Sequence, residues 1–133
     1  MKKLLFLSIA FFILLSCSSN EDNLDPLVGT WYFFFENGRE VDDCNKKSTL
    51  IVIENGNLSS VNYGNQDNIN ECVIEGTLEA KWTNNGNGNY IMTCKSDNLK
   101  NTPKIIFKDN NNTFLSSSTN QNGRIETQTF KRK

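Results

Sequence analysis

Hydrophobic and polar positions follow two different rhythms along the chain. Leu4 to Leu15 is an almost unbroken apolar run, interrupted only by Ser8 and Ala10, behind the short basic start Met1-Lys2-Lys3. Beyond Leu27 the runs shorten and begin to alternate. The clearest case is residues 72–83, where Cys72, Ile74, Gly76, Leu78, Ala80 and Trp82 share one face and Val73, Glu75, Thr77, Glu79 and Lys81 the other. A period of two is that of a strand with one buried and one wet side. The same rule turns Trp31, Phe33 and Phe35 inward, together with Leu50 and Val52, Tyr90, Met92 and Cys94, and Ile105 and Phe107. Tyr32, Phe34, Ile51 and Ile53 then face outward, and Ile125 and Phe130 fall on opposite faces of the last strand unless a bulge intervenes.

Asn-Gly pairs at 37–38, 55–56, 85–86, 87–88 and 122–123 punctuate these runs and favour the positive-φ turns that join antiparallel strands. Strands are expected at 29–36, 48–54, 57–63, 72–83, 89–96, 103–108, 113–119 and 124–131. Eight strands joined by hairpin-length links, each with one apolar face, are most simply satisfied by an all-β, single antiparallel up-and-down barrel, which leaves no open edge. A two-sheet sandwich is the rival, but its long crossing connections are not evident, and only 64–71 is loop-like at any length.

The apolar run at the start does not belong to that domain. Twelve residues of helix span about 18 Å, short of the ~30 Å hydrocarbon core of a bilayer, so a removable signal peptide is expected over 1–16. Leu14-Leu15-Ser16-Cys17 resembles the bacterial lipobox, which implies cleavage before a diacylated Cys17 and a stable two-chain membrane anchor. Residues 17–26 read as a lipidated flexible linker and 27–133 as the folded domain. Glu21, Asp22 and Asp25 behind the cysteine are similar to the export signal of surface lipoproteins in Bacteroidota, or equally form a plain solvated linker. The expected location is the cell envelope, lipid-anchored to the outer membrane.

Gly29-Thr30-Trp31, within LVGTWYFF, resembles the Gly-x-Trp signature that opens the first strand of lipocalins and fatty-acid-binding proteins. Residues 27–133 further resemble the lipocalin-like domains of Bacteroidota lipoproteins, in DDCNKKSTLIVIENG, the later Cys72 and the terminal TFKRK. The resemblance implies that Trp31 closes one end of the barrel beneath a cation of the last strand. Arg132 is the best match for that cation, with Lys131 or Arg39 as alternatives. The inward arginine and tyrosine with which fatty-acid-binding proteins hold a carboxylate have no clear counterparts near the C-terminus, so fatty-acid carriage does not transfer.

With Cys17 lipidated, Cys44, Cys72 and Cys94 remain, implying one disulfide and one free thiol. Pairing Trp82 with Tyr90 across a hairpin sets Cys94 opposite Leu78, roughly 20 Å from Cys72, too far for a bridge. The expected disulfide is therefore Cys44–Cys72. Cys94 reads as a buried small apolar residue.

The chain of 133 residues has 14 basic and 15 acidic side chains and no histidine. Lacking histidine, it has no Ser-His-Asp or Cys-His catalysis and few routes to zinc, and no metal or cofactor is expected. Loss of residues 1–16 removes Lys2 and Lys3 and no acid, leaving 12 basic against 15 acidic groups, a net charge of −3, which disfavours nucleic acid as a partner. Asp42-Asp43 reads as a solvated turn, and Asp109 to Thr113 lacks the glycine and distal glutamate of a calcium loop. Glu75 and Glu79 face solvent rather than converging in a cleft. A non-enzymatic protein is expected, of one of two kinds. In one, Phe33, Phe35, Leu50, Val52, Leu78, Tyr90, Met92 and Phe107 line a cavity for a small hydrophobic ligand. In the other, the same side chains fill the barrel, and its loops serve as a surface interaction or structural module for a partner protein that the sequence does not identify.

The anchor is testable directly. Metabolic labelling with a radioactive fatty acid should be strong in the native protein and lost in Cys17→Ala; undiminished labelling of the variant contradicts lipidation at Cys17.

Overall fold

The computed structural model describes residues 23–66 and 71–133; the expected signal peptide, Cys17 and most of the expected linker lie outside the described residues. Ten strands are present among the described residues: β1 (Gly29–Glu36), β2 (Arg39–Glu40), β3 (Thr49–Val52), β4 (Asn57–Gln66), β5 (Glu71–Asn84), β6 (Tyr90–Cys94), β7 (Lys100–Asn101), β8 (Lys104–Lys108), β9 (Thr113–Thr119) and β10 (Ile125–Arg132). A single 3-10 turn, Asn45–Lys47, precedes β3. Asn37 and Gly38, and Asn87 and Gly88, have the positive φ that the Asn-Gly turns require.

All pairings are antiparallel, in the spatial order β7-β6-β5-β4-β3-β1-β10-β9-β8, with β2 a short flap on β1. First meets last, as the barrel reading requires: Trp31 pairs with Arg132, Tyr32 with Lys131 and Phe33 with Phe130. The two strands at the ends of this order, β7 and β8, are one stretch of chain parted at Thr102-Pro103. Residues 99–105 run alongside 94–88, with Cys94 N–H donating to the Leu99 carbonyl at 2.9 Å, Tyr90 N–H to Pro103 at 3.0 Å and Ile105 N–H to Gly88 at 2.7 Å. The same stretch continues into β8 and pairs with β9, so the ring of strands is complete. Pro103 lacks an N–H, which is why the ladder skips there.

Two register shifts correct the expected faces. Opposite β10, the pairing passes from Phe33–Phe130 to Phe35–Thr129, leaving Phe34 unpaired. Opposite β4, it passes from Asn62–Gly76 to Tyr63–Ile74, leaving Glu75 unpaired. One extra residue inverts every side chain beyond it. Phe35 therefore shares the outer face with Thr129, and Ile74, expected inside, is 57% exposed. Ile125 is likewise outside and 72% exposed, with Phe130 inside, and no shift interrupts β10 against β9. The hairpin register is displaced by two residues toward a longer turn: Trp82 opposes Met92 rather than Tyr90, and Cys94 opposes Ala80. An even shift preserves the faces and leaves Cys94 still farther from Cys72. The bridge is Cys44–Cys72, with Cα atoms 5.5 Å apart, and Cys94 is the free cysteine among the described residues.

One end of the barrel is packed solid. Leu27, Trp31, Val52, Leu58, Ala80, Tyr90, Ile105 and Phe114 form a buried cluster at that end. Trp31 is 0% exposed and lies edge-on to Phe114 at 4.6 Å between centroids. Over its other side the Arg132 guanidinium sits 4.2 Å from the ring, a contact worth about 0.5–2 kcal/mol. Three Arg132 nitrogens donate to backbone carbonyls: Nη1 to Val28 at 2.9 Å, Nη2 to Pro26 at 2.8 Å and Nε to Asn111 at 3.2 Å. Gly29 makes room for this arrangement. Its φ is +144°, and a Cβ there would collide with Arg132 Nη1.

The ordered domain reaches back to Asp25, although 25 and 26 were expected as the end of the linker. The Asp25 carboxylate accepts from Tyr90 Oη–H at 2.9 Å, Asn84 Nδ2 at 2.6 Å and Leu27 N–H at 2.8 Å. Burial, followed by the hydrogen bond and negative charge of Asp25, pushes the Tyr90 phenol well above its ordinary value. A raised phenol pKa means that the folded state holds its proton while the unfolded chain releases it near pH 10, so this contribution is complete below pH 10 and is lost as pH rises above it. The melting temperature of the native protein should thus fall more steeply between pH 9 and 11 than that of Tyr90→Phe; parallel curves would show that Tyr90 does not contribute.

Candidate functional site

Away from the Trp31 end the interior opens into a cavity of about 250 Å³. Its floor is buried and apolar, formed by Leu58, Phe114 and Pro103. One side is aromatic, with Phe33 and Phe130 ring centroids 5.5 Å apart, the pair immediately before the Phe34 bulge. The rest of the lining is largely polar: Ser60 and Asn62 on β4, Ser116 and Ser118 on β9, and Gln128 on β10. These positions alternate along their strands with outward-facing residues, as the period of two demands. Asn62, Leu78, Asn101 and Gln128 are exposed and form the rim.

Ser48 ties this region to the loop bridged by Cys44–Cys72. It is buried, its Oγ accepts from Tyr63 N–H at 2.8 Å, and its carbonyl accepts from Phe33 N–H at 3.1 Å. Asp42 organises the same loop by accepting from Asn45 N–H at 2.8 Å and Asn65 Nδ2 at 3.0 Å. The Asn45 N–H bond, chiefly, holds the Asp42 carboxyl below its ordinary value.

The expected lining residues divide into three groups. Phe33, Leu50, Leu78 and Met92 lie on the cavity wall. Val52 and Tyr90 belong to the sealed core, and Phe107 packs against it, its ring 6.0 Å from Phe114. Phe35 is excluded by the bulge at Phe34, which turns it to the outer face beside the Phe34 ring at 5.1 Å. Outside, the stem and ammonium of Lys131 cover Phe34 at 3.6 Å, and Lys133 approaches Tyr32 at 5.7 Å, which accounts for two aromatic side chains that face away from the core. Of the cations proposed over Trp31, Arg132 takes that position, Lys131 faces outward, and Arg39 pairs with Glu36 in the flap.

An inner face defined by apolar residues alone leaves out these polar walls. Their signal was present in the alternation of Ser60, Asn62 and Gly64, and of Phe114, Ser116 and Ser118, continuing the inward phase of Leu58 and Phe114. No residue lining the cavity is ionisable. Its chemistry is therefore that of neutral donors and acceptors over an apolar floor.

No family model matches the chain, and no curated protein matches it in sequence. Among solved structures, a crystal structure of a variant of the fluorescent protein UnaG is similar at 14% identity, covering 81% of this chain and 96% of that one with a TM-score of 0.43.

Floor and rim should respond differently to truncation. Leu58→Ala, in the buried floor, should cost about 2–5 kcal/mol in denaturant unfolding, whereas Leu78→Ala, 37% exposed at the rim, should cost about 1 kcal/mol or less. Equal losses would contradict the division of the interior into a sealed end and an open one.

Proposed function

We propose that the chain is a lipid-anchored, lipocalin-like protein of the outer membrane that carries a small, largely apolar molecule in the open half of its barrel. The observation that carries this reading is the cavity of about 250 Å³, apolar at its floor and reached from a rim of exposed residues. It lies just below the ~300–1,000 Å³ usual for ligand pockets, so the molecule is small. A barrel packed solid and acting only through its loops would have no such space.

Anchorage at Cys17 gives the proposal an orientation. Asp25 and Pro26 are hydrogen-bonded at the Trp31 end, and the seven intervening residues reach at most ~25 Å when fully extended. The sealed end would then face the bilayer and the mouth the aqueous side. Ligand would enter from solution or from a partner rather than directly from the lipid below.

Native mass spectrometry of protein released gently from its own membrane should show a bound small molecule, and an uncharged fluorophore that brightens on binding should be displaced by extracted envelope lipids. Apoprotein alone, with no fluorophore binding, would favour the filled interaction module.

A further inference from the structure

We propose that the molecule held in this cavity is uncharged and carries hydroxyl, amide or ester groups on an apolar body, and that carboxylates are rejected. The proposal rests on the carrier reading above and specifies its ligand class. The first observation is the electrostatics of the wall: none of the sixteen lining residues can carry charge, so nothing there neutralises an anion or a cation. Moving an ion from water to such a site without a counter-charge is strongly unfavourable. The arginine nearest the interior is already committed, because Arg132 stacks on Trp31 and spends its nitrogens on the Pro26, Val28 and Asn111 carbonyls. It does not line the cavity.

The second observation is the kind and placement of the polar groups. Ser60 and Asn62 on β4 stand across the opening from Ser116 and Ser118 on β9, with Gln128 beside them on β10. Serine hydroxyls and carboxamides each donate and accept. A purely hydrocarbon ligand would bury such groups without partners, at a cost, whereas a neutral hydroxyl or carbonyl satisfies them. Among the described residues no side-chain nitrogen or oxygen is buried without a partner, so any of these groups lacking one opens onto accessible space. The pattern is a neutral amphiphile with its apolar part on Leu58, Phe114 and the Phe33–Phe130 pair, and its polar part among the serines and amides.

The test compares two probes of equal chain length, octane-1,2-diol and octanoate, by saturation-transfer NMR. The full lipid-anchored chain is held in nanodiscs, with empty nanodiscs as reference. At pH 7 the diol should bind at least ~10-fold more tightly than octanoate, and Gln128→Lys, a change at the exposed rim, should narrow that gap by improving octanoate alone. Octanoate binding as tightly as the diol to the native protein would overturn the proposal while leaving the carrier reading intact. A gap unchanged in Gln128→Lys would also contradict it, since selectivity would then not arise from missing charge. Saturation transfer to neither probe would defeat the carrier reading itself.

Discussion

The contact on which the structure turns is the Arg132 guanidinium laid over the Trp31 indole at the junction of the first and last strands. A meander of strands has two free edges until these two meet, and each edge would otherwise present unpaired backbone groups. The Trp31–Arg132 pair sits where that seam is made and brings the N-terminal segment with it, because the guanidinium reaches the Pro26 and Val28 carbonyls while Trp31 Nε1 donates to Leu27 at 2.8 Å. Gly29 is required by the same geometry. The Gly-x-Trp pattern is thus a packing rule: an absent Cβ admits the cation that covers the ring.

Sealing one end leaves the other free to differ. Aromatic packing runs from Trp31 through Phe114 to Phe130, stacked on Phe114 at 4.8 Å, and ends at Phe33, 5.5 Å from Phe130. Toward the open end Ser60, Asn62, Ser116, Ser118 and Gln128 join the inward positions, and the interior is no longer filled. Packing energy is therefore concentrated at the Trp31 end of the domain, and the open half contributes less to stability. This division explains how a domain of modest size can hold an opening without a larger core.

Much of this architecture was legible in the chain. Alternation and Asn-Gly turns located the eight principal strands, with Gly29–Glu36 and Thr113–Thr119 matching to the residue, and the positions of the cysteines anticipated the Cys44–Cys72 bridge. What was not legible was whatever breaks a period. Nothing in Phe33-Phe34-Phe35 marks the middle residue as the bulge, because all three are equally apolar and the shift is set by the partner strand. Glu75 is similar: a polar residue in an outward phase gives no warning that the phase inverts beside it. Asp25 looked like linker because its partners, Asn84 and Tyr90, are remote in sequence. The polar cavity wall was written in the chain, but a search for inward faces that counts only apolar residues passes over it.

Closure of the ring at β1 and β10 is most directly measured by amide hydrogen exchange. The amides of β1 and β10 that pair across the seam should exchange as slowly as those at the centre of β4 and β5, opening only with global unfolding. Fast exchange along either strand, at rates typical of an exposed edge, would contradict the closed barrel and with it the sealed end and the cavity above.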